Sequence, residues 1–188
     1  ALNVAADGKI IVIRSGTYQV KNTQIQADIT IKADKGATVI LDAERGSRIF
    51  IIRSNVTLRD LTFINGDIGS NGGAIFDWGN LTLNNVKFYN CTADDNGGAV
   101  YVYGGSGLTA VSCEFIDNKA YQGGAIYVEG NNATISVDFV DCGAGFPADW
   151  VTPDRDVFKP LINNILIRVD GLIASTNDNV QNVFSDNF

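Results

Sequence analysis

Three phrases in this chain say nearly the same thing. NGGAIFDWGNLTL begins at Asn71, NGGAVYVYGGSGLTA at Asn96 and QGGAIYVEGNNATI at Gln122, so the intervals are 25 and 26 residues. Self-similarity at a fixed period of this length marks a chain built from stacked units, each contacting only its neighbours. Aligned on the phrase, the residues fall into columns. Ile49, Ile75, Val100 and Ile126 form one, and Phe50, Phe76, Tyr101 and Tyr127 the next. Ile51, Asp77, Val102 and Val128 follow, then Ile52, Trp78, Tyr103 and Glu129. A second run aligns Val56, Leu81, Leu108 and Ala133, with Ile29 one unit earlier, and a third ends on Phe63, Phe88, Phe115 and Phe139.

Each unit therefore offers three short runs rich in β-branched and aromatic residues, separated by Gly, Asn and Asp, which read as strands and turns. One such unit cannot bury its own apolar face. Stacking the units places like over like about 4.8 Å apart and pairs their backbones in parallel. The expected fold is all-β, a parallel β-helix of about seven coils of roughly 25 residues forming one domain over residues 1–188. The paired glycines allow a tight corner, with φ > 0, at the same place in each coil, and the alanine after them leaves room for the neighbouring strand.

The pattern breaks where a fourth phrase is due. The chain there reads GAGFPADWVTPDRDVFKP and holds all three prolines, Pro147, Pro153 and Pro160. Proline cannot donate to a central ladder, so residues 143–160 read as an inserted loop, available for contacts as long loops on rigid scaffolds are. Strand character returns at NNILIRVDGLIAS and NVQNVFSD. The chain ends at VFSDNF, in mid-pattern and with no capping helix after it. A β-helix exposes unpaired edges at its ends. The expectation is a segment of a larger protein or assembly, self-associating end to end with Asn187 and Phe188 at the contact.

Charge narrows the partners. A net charge of −7 argues against a nucleic-acid backbone and an anionic membrane surface. No apolar run approaches the roughly 20 residues of a membrane span. The absence of histidine removes the commonest general base and metal ligand. Cys91, Cys113 and Cys142 lack metal-ligand spacing. Cys91 and Cys142 share a column two coils apart, about 9.5 Å, too far for a bridge. The expectation is three free thiols, no metal and no cofactor.

Four Asn-x-Thr sequons begin at Asn55, Asn80, Asn90 and Asn132. These are candidate glycosylation sites in a glycosylating host, although the template Asn, apolar, Thr, apolar writes three of them by its own structural logic. A β-helix enzyme acting on polysaccharides needs converging acids, or calcium with a basic residue. The candidates are Asp94 with Asp95, Asp77 with Glu129, and Asp149, Asp154 and Asp156 in the loop. Asp77 and Glu129 fall on opposite strand faces, no basic column accompanies them, and no catalytic motif is present. The expectation is a protein that is not an enzyme.

Of the two faces of the first strand, the aliphatic one is expected inside, because Glu129 would be costly there. The aromatic one then lies outside, and Phe76, Trp78, Tyr101, Tyr103 and Tyr127 become a candidate binding strip for a surface glycan or protein partner.

The three GGA[IV] units, with FIDN at Phe115–Asn118 and FSDN at Phe184–Asn187, resemble the GGAI and FxxN repeats of polymorphic outer-membrane proteins. Archaeal adhesin-like surface proteins are similar. The opening DGKIIVIRSGTYQV resembles the first coils of pectin-lyase-like right-handed β-helices. Phe63 and Phe88 depart from the pattern, with Asn two residues on rather than three, and no GGAI follows Phe139. The resemblance implies a right-handed helix and an adhesin-like, cell-surface or extracellular role. The alternatives are a carbohydrate-active β-helix enzyme and a purely structural spacer or filament subunit.

Overall fold

The computed structural model describes residues 6–129, 132–140, 143–144, 157–158, 166–169 and 172–175. It is an all-β solenoid of about five turns with no helix among the described residues. Among the described residues every strand pairing is parallel except that of Leu166–Val169 with Leu172–Ser175. The expected seven coils counted the strand runs beyond the 143–160 loop as further parallel coils. Parallel stacking instead gives way to this antiparallel pair beyond the third GGA phrase.

Each turn contributes to three sheets. Sheet 1 stacks Thr23–Ile25, Phe50–Ile52, Ile75–Asp77, Val100–Val102, Ile126–Val128 and Val157–Phe158. Sheet 2 contains two strands per turn, including Ile29–Ala33, Asn55–Arg59, Asn80–Asn84 and Gly107–Ile116. Sheet 3 is short and stacks Asp67–Ile68, Thr92–Asn96, Lys119–Gln122 and Gly143–Ala144. Gly143–Ala144 and Val157–Phe158 fall within the span read as a loop and pair with the preceding turn. The three prolines and Asp149, Asp154 and Asp156 lie outside the described residues, as do Cys142, Asn187 and Phe188.

The register of the second and third runs is as the sequence predicts. Ile29, Val56, Leu81, Leu108 and Ala133 are partners in turn, and so are Phe63, Phe88, Phe115 and Phe139. One coil needs correction, by one residue in each of its four columns. Ile75 pairs with Phe50, not Ile49, and Asp77 pairs with Ile52, not Ile51. The slip arises in the unbroken apolar run Ile49–Ile52. All four are candidates for the inside, and alternation cannot choose among them.

The core is a continuous aliphatic and aromatic column. Phe63, Phe88 and Phe115 are fully buried and stack ring on ring, with centroids 4.9 and 4.8 Å apart and planes within 21° and 9° of parallel. Cys91 and Cys113 are buried. Burial pushes the Cys113 thiol up to about 11, so it stays protonated and unreactive at neutral pH.

The paired glycines divide their work. Gly72, Gly97 and Gly123 have φ of 71°, 68° and 61°, the left-handed region that disfavours side chains. The second glycine answers a different need. A Cβ on Gly73 would lie 2.1 Å from the carbonyl oxygen of Gly98, and one on Gly98 would lie 1.9 Å from that of Gly124. Asparagine, aspartate and one serine take two further stacked bends. Asn65, Asn90 and Asp117 stack at one with φ of 56°, 56° and 55°, and Asp60, Asn85 and Ser112 at another with φ of 57°, 53° and 54°.

Those bends explain the departure from the FxxN pattern. Asn65 and Asn90, two residues after their phenylalanines, are left-handed corners. Asn118, three after Phe115, is buried instead. Its Oδ1 accepts from the Cys91 N–H at 3.0 Å and its Nδ2 donates to the Phe88 carbonyl at 3.1 Å, tying two turns together.

Candidate functional site: an outward aromatic strip

Sheet 1 turns its aliphatic face inward, as expected. Ile75, Val100, Val102, Ile126 and Val128 are fully buried, with Phe50 and Ile52 beneath them after the register correction. The outward positions form two parallel columns. The inner one holds Ile51, Phe76, Tyr101 and Tyr127. The outer one holds Arg53, Trp78, Tyr103 and Glu129, whose N–H groups donate to the carbonyls of Ile25, Ile52, Asp77 and Val102. Arg53, not Ile52, is therefore the neighbour of Trp78.

The five aromatics of the candidate strip come together. Phe76 lies 4.3 Å from Trp78 and 4.6 Å from Tyr101, Trp78 lies 6.4 Å from Tyr103, and Tyr101 stacks on Tyr127 at 5.5 Å. They are not equally accessible. Trp78 and Tyr103 are 39% and 47% exposed and Phe76 is half-buried. Tyr101 and Tyr127, at 2% and 9%, are buried although they stand outside the main core. Tyr101 donates its hydroxyl to Glu129 Oε1, and Glu129 Oε2 accepts from the Gly104 N–H at 3.0 Å. Burial first, then that carboxylate, raises the Tyr101 hydroxyl far above its ordinary range, and the same two causes raise Tyr127.

Two guanidinium groups border the strip. Arg48 lies 5.3 Å from the centre of the Phe76 ring, but its Nε donates to the Gly72 carbonyl and its Nη2 to Ser70 Oγ and the Asn71 carbonyl. Arg53 lies 4.2 Å over the Trp78 ring, a cation–π contact. Alignment of the phrases alone missed both arginines, because neither lies inside the repeated words.

The remaining candidates do not converge. Asp77 is fully buried on the inward face while Glu129 is exposed outside, so they share no space. Asp77 Oδ1 accepts from the Gly79 N–H at 2.9 Å, its Oδ2 has no partner, and burial pushes its carboxyl up to about 7. Asp94 and Asp95 are exposed on a strand of sheet 3. No group of three metal-ligating residues occurs among the described residues. No helix among them is long and apolar enough to cross a membrane.

Three sequon nitrogens are engaged in ladders. Asn80 Nδ2 donates to Asn55 Oδ1 at 2.7 Å, Asn55 Nδ2 to Asp28 Oδ2 at 2.8 Å, and Asn90 Nδ2 to Asn65 Oδ1 at 3.0 Å. A glycan on any of them would replace one rung. The side chain of Asn132 lies outside the described residues.

No curated protein and no solved structure gives a significant match to this chain. The family model for a right-handed β-helix region does match, over residues 8–146. That span covers all three GGA phrases and the strip they carry, and the chain belongs to the right-handed β-helix family.

Proposed function

We propose that this chain is an adhesin-like binding segment of a cell-surface or extracellular protein, of the kind its resemblance to polymorphic outer-membrane and archaeal adhesin-like repeats implies. The observation that carries the reading is the pair Trp78 and Tyr103. Two exposed aromatic side chains sit one turn apart, each on the residue that follows its strand of sheet 1, over buried Asp77, Val100 and Val102. An exposed aromatic pair is a stacking platform for the apolar faces of sugar rings or an anchor for a protein partner. Arg53 at one side and the Tyr103 hydroxyl supply polar contacts for orientation. The strip is pre-ordered by its own backbone, so little conformational entropy is lost on binding.

A glycan array, followed by tryptophan fluorescence titration of the hits, tests the reading. Saturable binding that Trp78→Ala and Tyr103→Ala abolish supports it. Binding that both variants leave intact removes the strip from it.

A purely structural, self-associating role draws on one specific observation. Ile10 and Val12 are 62% and 49% exposed on Lys9–Ile13, the terminal strand on one side of sheet 2. An exposed apolar edge strand is a template for further pairing. Concentration-dependent sedimentation, suppressed by Ile10→Lys, distinguishes that role. A carbohydrate-active enzyme draws support from the fold alone, and release of reducing ends or unsaturated products from polysaccharides would reveal it.

A further inference from the structure

We propose that the solenoid carries a second binding site, for ligands bearing two or more closely spaced oxyanion groups, in a concave groove of about 670 Å³ on sheet 2 and the loop after Ile29–Ala33. The groove lies on different strands from the aromatic strip, and the proposal does not depend on that strip.

The charge there opposes that of the molecule. In a chain of net charge −7, the groove wall holds Lys32, Lys35, Arg59 and Lys87 against Asp34 and Asp60. Both carboxylates already accept hydrogen bonds, Asp34 from the Lys35 N–H at 2.8 Å and Asp60 from Asn85 Nδ2 at 2.7 Å. Lys87 is paired with Glu114 at 2.9 Å. Lys32, Lys35 and Arg59 make no ion pair among the described residues.

Register makes this more than a local excess of charge. Lys32 and Arg59 are direct partners in the parallel ladder, between inward-facing Ile31 and Ala33 on one strand and beside inward-facing Leu58 on the other. Their outward side chains therefore leave the sheet about 4.8 Å apart. Like charges set opposite each other in a sheet destabilise it, and the next residue in the column is the neutral Asn84. An oxyanion lying between them removes that cost and matches the planar fork of arginine. The concave wall concentrates the positive field. Sulfate esters of a glycan and linked phosphates share this chemistry, so both sources are tested.

The 188-residue chain is titrated calorimetrically at low salt with a heparin-derived oligosaccharide and, separately, with inorganic tripolyphosphate, and its melting temperature is followed in parallel. Lys32→Gln/Arg59→Gln removes the pair. Lys9→Gln/Lys119→Gln removes the same charge elsewhere. Expected are saturable binding, at least tenfold weaker in the groove variant and nearly unchanged in the control, and a ligand-induced rise in melting temperature that the groove variant loses. Without ligand the groove variant should melt at or above the wild type. Binding of the oligosaccharide alone identifies a sulfated glycan as the source, and binding of tripolyphosphate alone identifies a phosphate chain. The proposal is overturned if neither probe saturates, if both variants weaken binding equally, or if the ligand-free groove variant melts well below the wild type.

Discussion

Two aromatic stacks run along this solenoid, one inside and one outside, with nearly the same geometry. Phe88 and Phe115 stack at 4.8 Å and 9°, and Tyr101 and Tyr127 at 5.5 Å and 10°. Stacking is thus a property of the scaffold, which puts like residues one turn apart whichever way they point. What separates the stacks is the polar handle and the surroundings. The inner rings are phenylalanines with nothing to satisfy. The outer tyrosines present hydroxyls, and Tyr101 spends its hydroxyl on Glu129. The inner stack is the means of holding the turns together, whereas the outer one ends in rings that still meet solvent.

The largest effect that separates the two is expected at the inner stack. Phe88→Ala should cost about 3–5 kcal/mol of unfolding free energy, as large-to-small core changes do. Denaturant melts measure it, and a loss under about 1 kcal/mol would mean the inner rings contribute no more than surface ones.

Asp77 is the exception on the inner face and gives the next test. Its folded-state carboxyl is raised from 3.8 to about 7, chiefly by burial. The native state therefore binds the proton more tightly than the unfolded chain. The stability that Asp77 contributes should be greatest below about pH 4, fall as pH rises toward 7, and level off above it. The difference is on the order of 4 kcal/mol for a shift of this size. Asp77→Asn keeps the acceptor for Gly79 and should flatten that fall. Melting curves at pH 4, 6 and 8 compare the two proteins, and parallel profiles would place Asp77 in water rather than in the core.

A smaller cost is expected where turns touch through backbone. Gly98→Ala puts a methyl against the Gly124 carbonyl and should destabilise by about 1–3 kcal/mol. Gly104→Ala, whose Cβ meets nothing nearer than a carboxylate oxygen of Glu129 at 3.3 Å, should cost less. Equal effects would show that the corner yields freely. Smallest is Trp78→Ala, with an expected stability change within about 1 kcal/mol alongside loss of ligand binding. A large stability loss there would make the outer strip structural too.

Much of this was legible in the residues. The Phe63, Phe88 and Phe115 column could be written down because each phenylalanine recurs at the same offset from its strand. The choice of the inward face followed from one charge, Glu129, which belongs in water. Phe50 was placed one residue off because four apolar residues in a row carry no alternation. Asn90 fitted no strand template because its role is a left-handed corner stacked on Asn65. Lys32 and Arg59 each lie three residues past the aligned pair Ile29 and Val56, so their pairing was implicit in the columns, whereas the groove beside them was not.

By itself, the repeat determined the parallel solenoid, its period and the order of residues in most columns, since a fixed spacing between like residues leaves only one economical way to bury them. Tertiary structure decided what the spacing is silent about. It split the glycine pair into one left-handed corner and one close backbone contact. It buried Tyr101 and Tyr127 while leaving Trp78 and Tyr103 in solvent, and it shaped a groove beside two aligned cations. These are consequences of distances between turns, and a one-dimensional pattern records which residues align but not how closely their atoms approach or how much water remains between them.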